Sequence, residues 1–393
     1  MLNSTEIISK MDNKVFLSIA ILTYNRADSL ERLLGNIMPQ VQNARERVEV
    51  CISNNASTDN TEGVVSSFQQ KYPSLIKYNK NNENLGFDGN MVKALEMSDG
   101  RFVWTFGDDD LMADNALNEV VDFLRQGSGE EIGLVLLRTE SYLIDKKTKE
   151  KVVWTNKLDK KNPEVFEINK KEIIDLSFPE IVFMSALILN NDLVKKILSE
   201  DADIIREALG SIHMHAVIFC VMFLKYPMVK GLVLNKRPLI NQELASYKFF
   251  VEDKFKSHYQ VQKKLNSLLL SCKYMKPEYE PLIIKRGKGL RRGFIDDMLV
   301  LKVFRNFNYF SYFGCIKLFL KKANLIDALI FSLSFLVVSA VPSFLMVFLY
   351  KAVLFKKYGS SWGARWQSIS SVVSLTSQGT RRRDFFATRE IGQ

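Results

Sequence analysis

Arg101-Phe-Val-Trp-Thr-Phe-Gly-Asp-Asp-Asp110 decides how this chain is read: an apolar run passes through one glycine into three carboxylates. The run Arg101–Phe106 predicts a buried strand. Three adjacent carboxylates at a strand end repel one another. A divalent cation, which prefers oxygen ligands, relieves that repulsion. Such a cation normally holds phosphates, so the ends of the upstream strands are where a nucleotide site is expected.

Upstream, strand and helix signals alternate. Val15–Leu22 reads as a buried strand, and Leu30, Leu33, Leu34, Ile37 and Met38 follow at helical spacing, with Asp28 and Glu31 placed as a capping box. Val48–Ser53 is a second strand, and Val64, Val65 and Phe68 mark a second helix. Leu75–Tyr78 is a short third strand, followed by a helix carrying Met91, Val92 and Leu95. Leu117, Val120, Val121 and Leu124 mark the helix after the carboxylates. This alternation predicts an α/β fold, a parallel sheet with helices on both faces, whose ligands bind at the carboxyl ends of the strands. Further on, Leu134–Leu137 and Ala186–Leu189 read as strands, Asp145–Glu167 as an exposed hairpin or loop, and helical signals dominate from Lys254.

Composition narrows the class. The 393 residues are 47% hydrophobic and 25% charged, the balance of a globular protein, with a net charge of +10. Cys51, Cys220, Cys272 and Cys315 are isolated, which excludes a disulfide framework and predicts reduced thiols. Met1–Asn13 is polar and the apolar run after it is too short for a signal peptide. The positive charge concentrates in Lys254–Lys322. Directly after it, Ala328–Tyr350 is apolar and uncharged, long enough for a bilayer, and interrupted by Pro342. That run reads as a kinked span, as two in-plane or re-entrant helices meeting at Pro342, or as a buried helix pair. The adjoining basic residues favour an anionic membrane surface over nucleic acid.

Three more polar motifs close the upstream strands. Thr23-Tyr-Asn-Arg26 offers hydrogen-bonding groups and an aromatic wall, or simply a helix entry. Asn54-Asn-Ala-Ser-Thr-Asp59 suits a base or ribose edge, or a helix cap at Asp59 with Glu62. In Asn84-Leu-Gly-Phe-Asp-Gly-Asn90, Gly86 and Gly89 permit close backbone approach to a ligand, and Asp88 doubles as an N-cap.

Together the four segments resemble the family 2 glycosyltransferases, in order and spacing, and among them the bacterial sugar transferases of O-antigen and capsule synthesis (abequosyl- and rhamnosyltransferase-like). The motif match runs over about residues 15–125, with weaker similarity to about 245. The resemblance implies a GT-A fold, Rossmann-like, with a mostly parallel sheet flanked by helices. It places Thr23, Tyr24, Asn25, Arg26, Asn55, Asp59, Asp88, Asn90 and Asp108 at a nucleotide-sugar donor. Asp110 would coordinate Mg²⁺ or Mn²⁺ on the diphosphate, with Asp108 at the ribose or the metal's hydration shell and Asp109 no more than a spacer. Asn54 stands where the family often has Asp, so the base is left open.

The same resemblance implies a histidine completing the metal or diphosphate site; in Gly210-Ser-Ile-His-Met-His215 the spacing favours His215 over His213. An inverting transfer needs a carboxylate base. Asp201, Asp203 and Glu207 fall in the expected window, and Glu207, nearest the histidines, is the candidate. The implied organisation is a glycosyltransferase domain over 1–250 (nucleotide half 15–125, acceptor half 126–250), a basic helical region 251–324, an apolar membrane-associated segment 325–357 and a polar tail 358–393. The implied activity is metal-dependent, inverting transfer to a glycan or polyprenyl-diphosphate-linked acceptor for surface polysaccharide, at the cytoplasmic face of the bacterial inner membrane. Two other readings stand beside it. A nucleotidyltransferase of related fold would need a glycine-rich, lysine-bearing first loop, which Thr23–Arg26 lacks. A basic nucleic-acid-binding or scaffold protein would need aromatic interleaving that the basic segment lacks.

Overall fold

The computed structural model describes residues 14–127, 132–144, 151–155, 163–175, 181, 183–211, 213–243 and 259–283. Apart from Tyr259 they belong to one compact unit, Met1–Ile144, Lys149–Glu243 and Gln260–Gly287. The apolar run 328–350, most of the basic segment before it and the tail after it lie outside the described residues.

The strand signals become β1 (Leu17–Thr23), β2 (Val48–Asn54), β3 (Ile76–Lys80) and β4 (Phe102–Gly107). Every residue of β1 and β2 is buried, as continuous apolar strands covered on both faces must be. They pair in parallel in the order β3-β2-β1-β4, and the sheet continues through β10 (Leu187–Asn190), β6 (Ile132–Leu137), β11 (Lys230–Leu234) and β9 (Val165–Ile168). The parallel expectation holds for the first four strands, whereas β10 runs antiparallel to both β4 and β6.

Helices cover both faces. On one, α1 (Ala27–Gln42), α2 (Thr61–Lys71) and α4 (Ala116–Gln126) bury Leu30, Leu33, Val65, Leu117 and Val120 against Leu17, Ile19 and Trp104. On the other, α3 (Gly86–Glu96), α5 (Lys170–Asp175), α6 (Asn191–Glu200), α7 (Ala202–Ala208) and α8 (Met214–Lys225) share a core with Ala20, Val103 and Leu189. Helix α8 is buried over Met214–Leu224, on every face, which its uniformly apolar sequence requires. Leu265, Leu268 and Leu269 of α9 (Tyr259–Ser271) join the same core. No helix among the described residues is long and apolar enough to cross a membrane.

A second, four-stranded sheet is not legible in the periodicity. It runs β5 (Asp110–Met112), β12 (Ile240–Glu243), β7 (Thr139–Ile144), β8 (Lys151–Thr155). β7 ends just before Asp145–Glu167, the stretch expected to be an exposed hairpin or loop, and pairs antiparallel with β8 inside it, while β9 at its far end joins the main sheet. β5 matters most: the sequence expects only a helix after the carboxylates, but Asp110 opens a strand paired with Gln242. Helix α1 holds that strand, since Asn36 donates to the Met112 carbonyl at 3.0 Å and accepts the Met112 N–H at 2.8 Å.

Candidate active site

Strand register brings the motifs to one edge. Thr23 lies opposite Asn54, and Leu22 opposite Gly107, so the ends of β1, β2 and β4 coincide. The loops leaving them are tied together by side chains. Asn25, at φ 53° in the left-handed region that Asn tolerates, accepts the Thr58 N–H at 2.8 Å, and its own N–H reaches Ser57 Oγ at 2.8 Å. Asp59 accepts from Ala27 N at 2.9 Å with one oxygen and from Thr61 N at 3.1 Å with the other, so it serves the first turns of α1 and α2 together. Burial acts to raise the Asp59 carboxyl, but the Thr61 hydroxyl, which donates to it at 2.5 Å, and these backbone hydrogen bonds outweigh burial and hold it below its ordinary value.

Two expected capping boxes therefore do not form. Helix α1 begins at Ala27, leaving Asp28 inside the first turn and the capping to Asp59. Glu62 pairs instead with Lys80 at 2.8 Å. Both corrections have one cause: a partner distant in sequence, the acceptor Asp59 for the start of α1 and the cation Lys80 for Glu62, which local spacing cannot report.

The next loop is held by asparagines. Asn55 donates to Asn84 Oδ1 at 2.7 Å and the Gly86 carbonyl at 3.2 Å, while accepting from Leu85 N at 2.8 Å. Gly86 has φ 71°, which only glycine adopts without strain. Asn90 is buried, accepting from Ser53 Oγ at 2.7 Å and Asn81 at 3.0 Å and donating to the Ser53 carbonyl at 3.0 Å. Asn54 is spent on Tyr78 Oη at 2.8 Å and the Ser57 N–H at 2.8 Å. Asp88 does not cap its own helix. It accepts the Met214 N–H at 3.1 Å, at the start of α8, joining the loop after β3 to the histidine segment. Tyr24 remains 39% exposed, so its ring is available to a ligand.

At the acidic turn the three carboxylates separate. Asp109 is half exposed and takes Arg26 Nη1 at 2.6 Å; Asp108 is buried and takes the same nitrogen at 3.1 Å. Burial pushes Asp108 up to about 6 against the pull of Arg26 and of the Thr23 hydroxyl, which stands beside it without a hydrogen bond of normal geometry. Burial pushes Asp110 up to about 8, aided by Asp109 and opposed by a hydrogen bond from Ser185. Asp110 Oδ2 accepts that bond at 2.5 Å; Asp110 Oδ1 is buried with no hydrogen-bond partner. Once ionised, a carboxylate oxygen left in this way suits a hard cation. No three His, Cys, Asp or Glu side chains converge at metal-holding spacing among the described residues, so Asp108, Asp110 and His215 do not form such a set. His215 is buried in the first turn of α8, its ring edge-on to His213 at 5.6 Å.

The base candidates also separate. Asp201 is fully buried and consumed, with Lys225 at 2.7 Å, Lys273 at 2.9 Å and Tyr274 Oη at 2.7 Å. Asp203 is exposed, 3.8 Å from Lys273. Glu207 is exposed near the end of α7, just before the loop that leads to the histidines. Sequence reasoning missed Ser185, for which Phe183-Met-Ser-Ala186 carries no signal, and Asn81, an unmarked residue after β3.

A sheet of this order with an acidic turn at its carboxyl edge is a GT-A-like α/β fold. Residues 18–184 match the family model of glycosyl transferase family 2. Among curated proteins it is similar to abequosyltransferase RfbV of Salmonella typhimurium, 39% identical over 103 residues, which are 26% of this chain and 31% of that protein. It is also similar to the Campylobacter jejuni GalNAc(5)-diNAcBac-PP-undecaprenol beta-1,3-glucosyltransferase, 32% identical over 128 residues, 32% of this chain and 40% of that protein. The chain thus matches well under half the length of these relatives. Among solved structures, S. aureus TarS 1–349 superposes with a TM-score of 0.50 at 17% identity, covering 95% of each chain. The mannosyltransferase PcManGT of Pyrobaculum calidifontis, solved with GDP-Man and Mn²⁺, gives 0.50 at 15% identity over 93% of this chain and 86% of that one. At such identities the likeness is one of fold.

Proposed function

We propose that the protein is an inverting glycosyltransferase that moves a sugar from a nucleotide-sugar donor to a glycan or lipid-linked acceptor in bacterial surface polysaccharide synthesis. One observation carries the reading: Asp110 is buried at the carboxyl edge of the sheet with one oxygen lacking any hydrogen-bond partner, on the edge where the other three motifs converge. The family match over residues 18–184 supports it.

In this reading Tyr24 lies against the base, and Asn25, Asn55 and Asp59 shape the loops that receive the nucleotide. Asp88 and Asn90 hold the donor-side loop, and Arg26 and Asp108 face the ribose and diphosphate. Mg²⁺ or Mn²⁺, held by Asp110 and otherwise by diphosphate and water oxygens, would neutralise the leaving group; Mg²⁺ commonly binds through one or two carboxylates plus substrate phosphates. His215 would stand behind the diphosphate rather than within a protein-only metal set. Of the three carboxylates after the domain's first half, Glu207 is the base, because Asp201 is locked by cations and Asp203 lies beside one. Glu207 takes the proton of the acceptor hydroxyl as its oxygen attacks the anomeric carbon and the bond to the diphosphate breaks.

The name of the Campylobacter relative supports a polyprenyl-diphosphate acceptor. The basic and apolar stretches beyond residue 284 would hold the protein on the anionic cytoplasmic leaflet of the inner membrane. Sedimentation of the full chain with anionic vesicles, and its loss on truncation at Lys321, tests that part.

The central test is a screen of nucleotide-sugars for Mn²⁺-dependent hydrolysis and thermal stabilisation, with Asp110→Ala as control. A response to one donor, abolished in the variant, is expected. No response to any donor, or an unchanged variant, refutes the reading.

A further inference from the structure

We propose that Ser185 is a positioning residue for Asp110, fixing which carboxylate oxygen is presented to the cation. The proposal rests on the reading of Asp110 as a cation ligand.

Ser185 is fully buried and lies in the short 3-10 turn Met184–Ala186. A serine hydroxyl has one hydrogen to give and lone pairs to receive. Here the Gly107 N–H occupies a lone pair at 2.9 Å, so the hydrogen is directed to Asp110 Oδ2. The turn itself is fastened to β4. Trp104 Nε1 donates to the Ser185 carbonyl at 2.9 Å, and Thr105 Oγ1 donates to the Met184 carbonyl at 2.6 Å. Consecutive residues of one strand thus hold the backbone that holds the hydroxyl. Gly107 completes the nest: a Cβ there would stand 3.0 Å from Asp110 Oδ2 and 3.5 Å from Ser185 Oγ, crowding the contact.

The two oxygens of Asp110 are therefore unequal. Oδ2 is engaged, and Oδ1 is buried with no hydrogen-bond partner. The hydroxyl stops the carboxylate from rotating and supports its ionised form, leaving Oδ1 for a single bond to the cation. Partners that orient a metal ligand in this way typically contribute roughly 10- to 100-fold in metal affinity.

The test is Mn²⁺ titration of the intact protein by electron paramagnetic resonance, with UDP, GDP, CDP or dTDP present and the same nucleotide without protein as blank, for wild type, Ser185→Ala, Ser185→Cys and Ser185→Thr. Alanine is expected to weaken Mn²⁺ binding by roughly 10- to 100-fold. Cysteine, close in shape but a weak donor, is expected to do the same, and it carries the test should the alanine variant fail to fold. Threonine, which keeps the hydroxyl, is expected to return to within a few-fold of wild type. In turnover, KM for Mn²⁺ rises in the alanine variant while KM for donor at saturating Mn²⁺ does not. A folded alanine or cysteine variant that binds Mn²⁺ like wild type overturns the proposal alone. A wild-type protein that binds no Mn²⁺ with any of these nucleotides overturns the reading of Asp110 as well.

Discussion

Arg26 sets one guanidinium nitrogen 2.6 Å from the carboxylate of Asp109, so the residue expected to be only a spacer is half of an ion pair. The same nitrogen lies 3.1 Å from Asp108, and the cation bridges two of the three acids. The third, Asp110, is buried in β5 and hydrogen-bonded to Ser185. Three adjacent residues thus meet three environments, decided by which direction each points at the junction of two sheets.

Removing the bridge should expose the acidic turn to its own repulsion. Arg26→Gln is expected to lower metal-free stability by about 1 kcal/mol, the scale of a half-exposed pair. Added Mn²⁺ is expected to raise the melting temperature of the variant more than that of wild type. Equal shifts in a calorimetric comparison would show that Arg26 and the cation do not act on the same charges.

Asp110 makes stability depend on pH in an unusual direction for a carboxylate. Its folded value, about 8, lies above the ordinary 3.8, so the native state holds a proton that the unfolded chain has lost. That contribution is fully present below pH ~4 and disappears as pH rises towards ~8. Asp110→Asn, which cannot ionise, is expected to be more stable than metal-free wild type at pH 8 by on the order of 2–5 kcal/mol. At pH 4 the two should nearly coincide. Urea midpoints at both pH values check this, and a variant less stable at pH 8 contradicts it. A cation must also displace that proton, so Mn²⁺ affinity in wild type should weaken as pH falls below ~8.

Asp59 predicts a separation of stability from chemistry. It joins Ala27 N and Thr61 N, and no single helix owns it. Asp59→Ala should cost about 1–2 kcal/mol, as loss of a cap does. The donor KM should rise as the loops after β1 and β2 come apart, while kcat changes little. A kcat loss without a stability loss would mark Asp59 as a participant in the reaction rather than a brace for the loops.

Asp201 and Glu207 predict opposite phenotypes from the same residue class. Asp201→Ala leaves the largely buried Lys225 with only Glu200 and takes from Lys273 and Tyr274 their common acceptor. A loss of about 1–3 kcal/mol is expected, the cost of leaving buried hydrogen-bonding groups short of a partner. Glu207→Gln should unfold at the wild-type midpoint and lower kcat by roughly 10²- to 10⁴-fold. Activity retained in Glu207→Gln would remove it as the base.

The strands β1, β2 and β4 were legible because continuous apolar runs report burial directly, and their polar ends mark the edge where ligands bind. The helices followed from 3.6-residue spacing, in Leu30–Met38 on one face and in Met91–Leu95 on the other. What the spacing misread were caps: Asp88 looks like the N-cap of α3 and serves α8, and Asp59 serves two helices at once. A carboxylate close to a helix start satisfies the local pattern wherever its hydrogen bonds finally go.

The sequence by itself determined the α/β alternation, the parallel half of the sheet and the acidic turn, because each depends on residues near one another in the chain. Only the tertiary structure decided that Asp110 enters a second sheet, that Arg26 bridges Asp108 and Asp109, that Asp201 is locked by Lys225 and Lys273, and that Ser185 faces Asp110. Those relationships join segments far apart in sequence, and hydrogen bonds of that kind exist only after the chain has closed the loops between them.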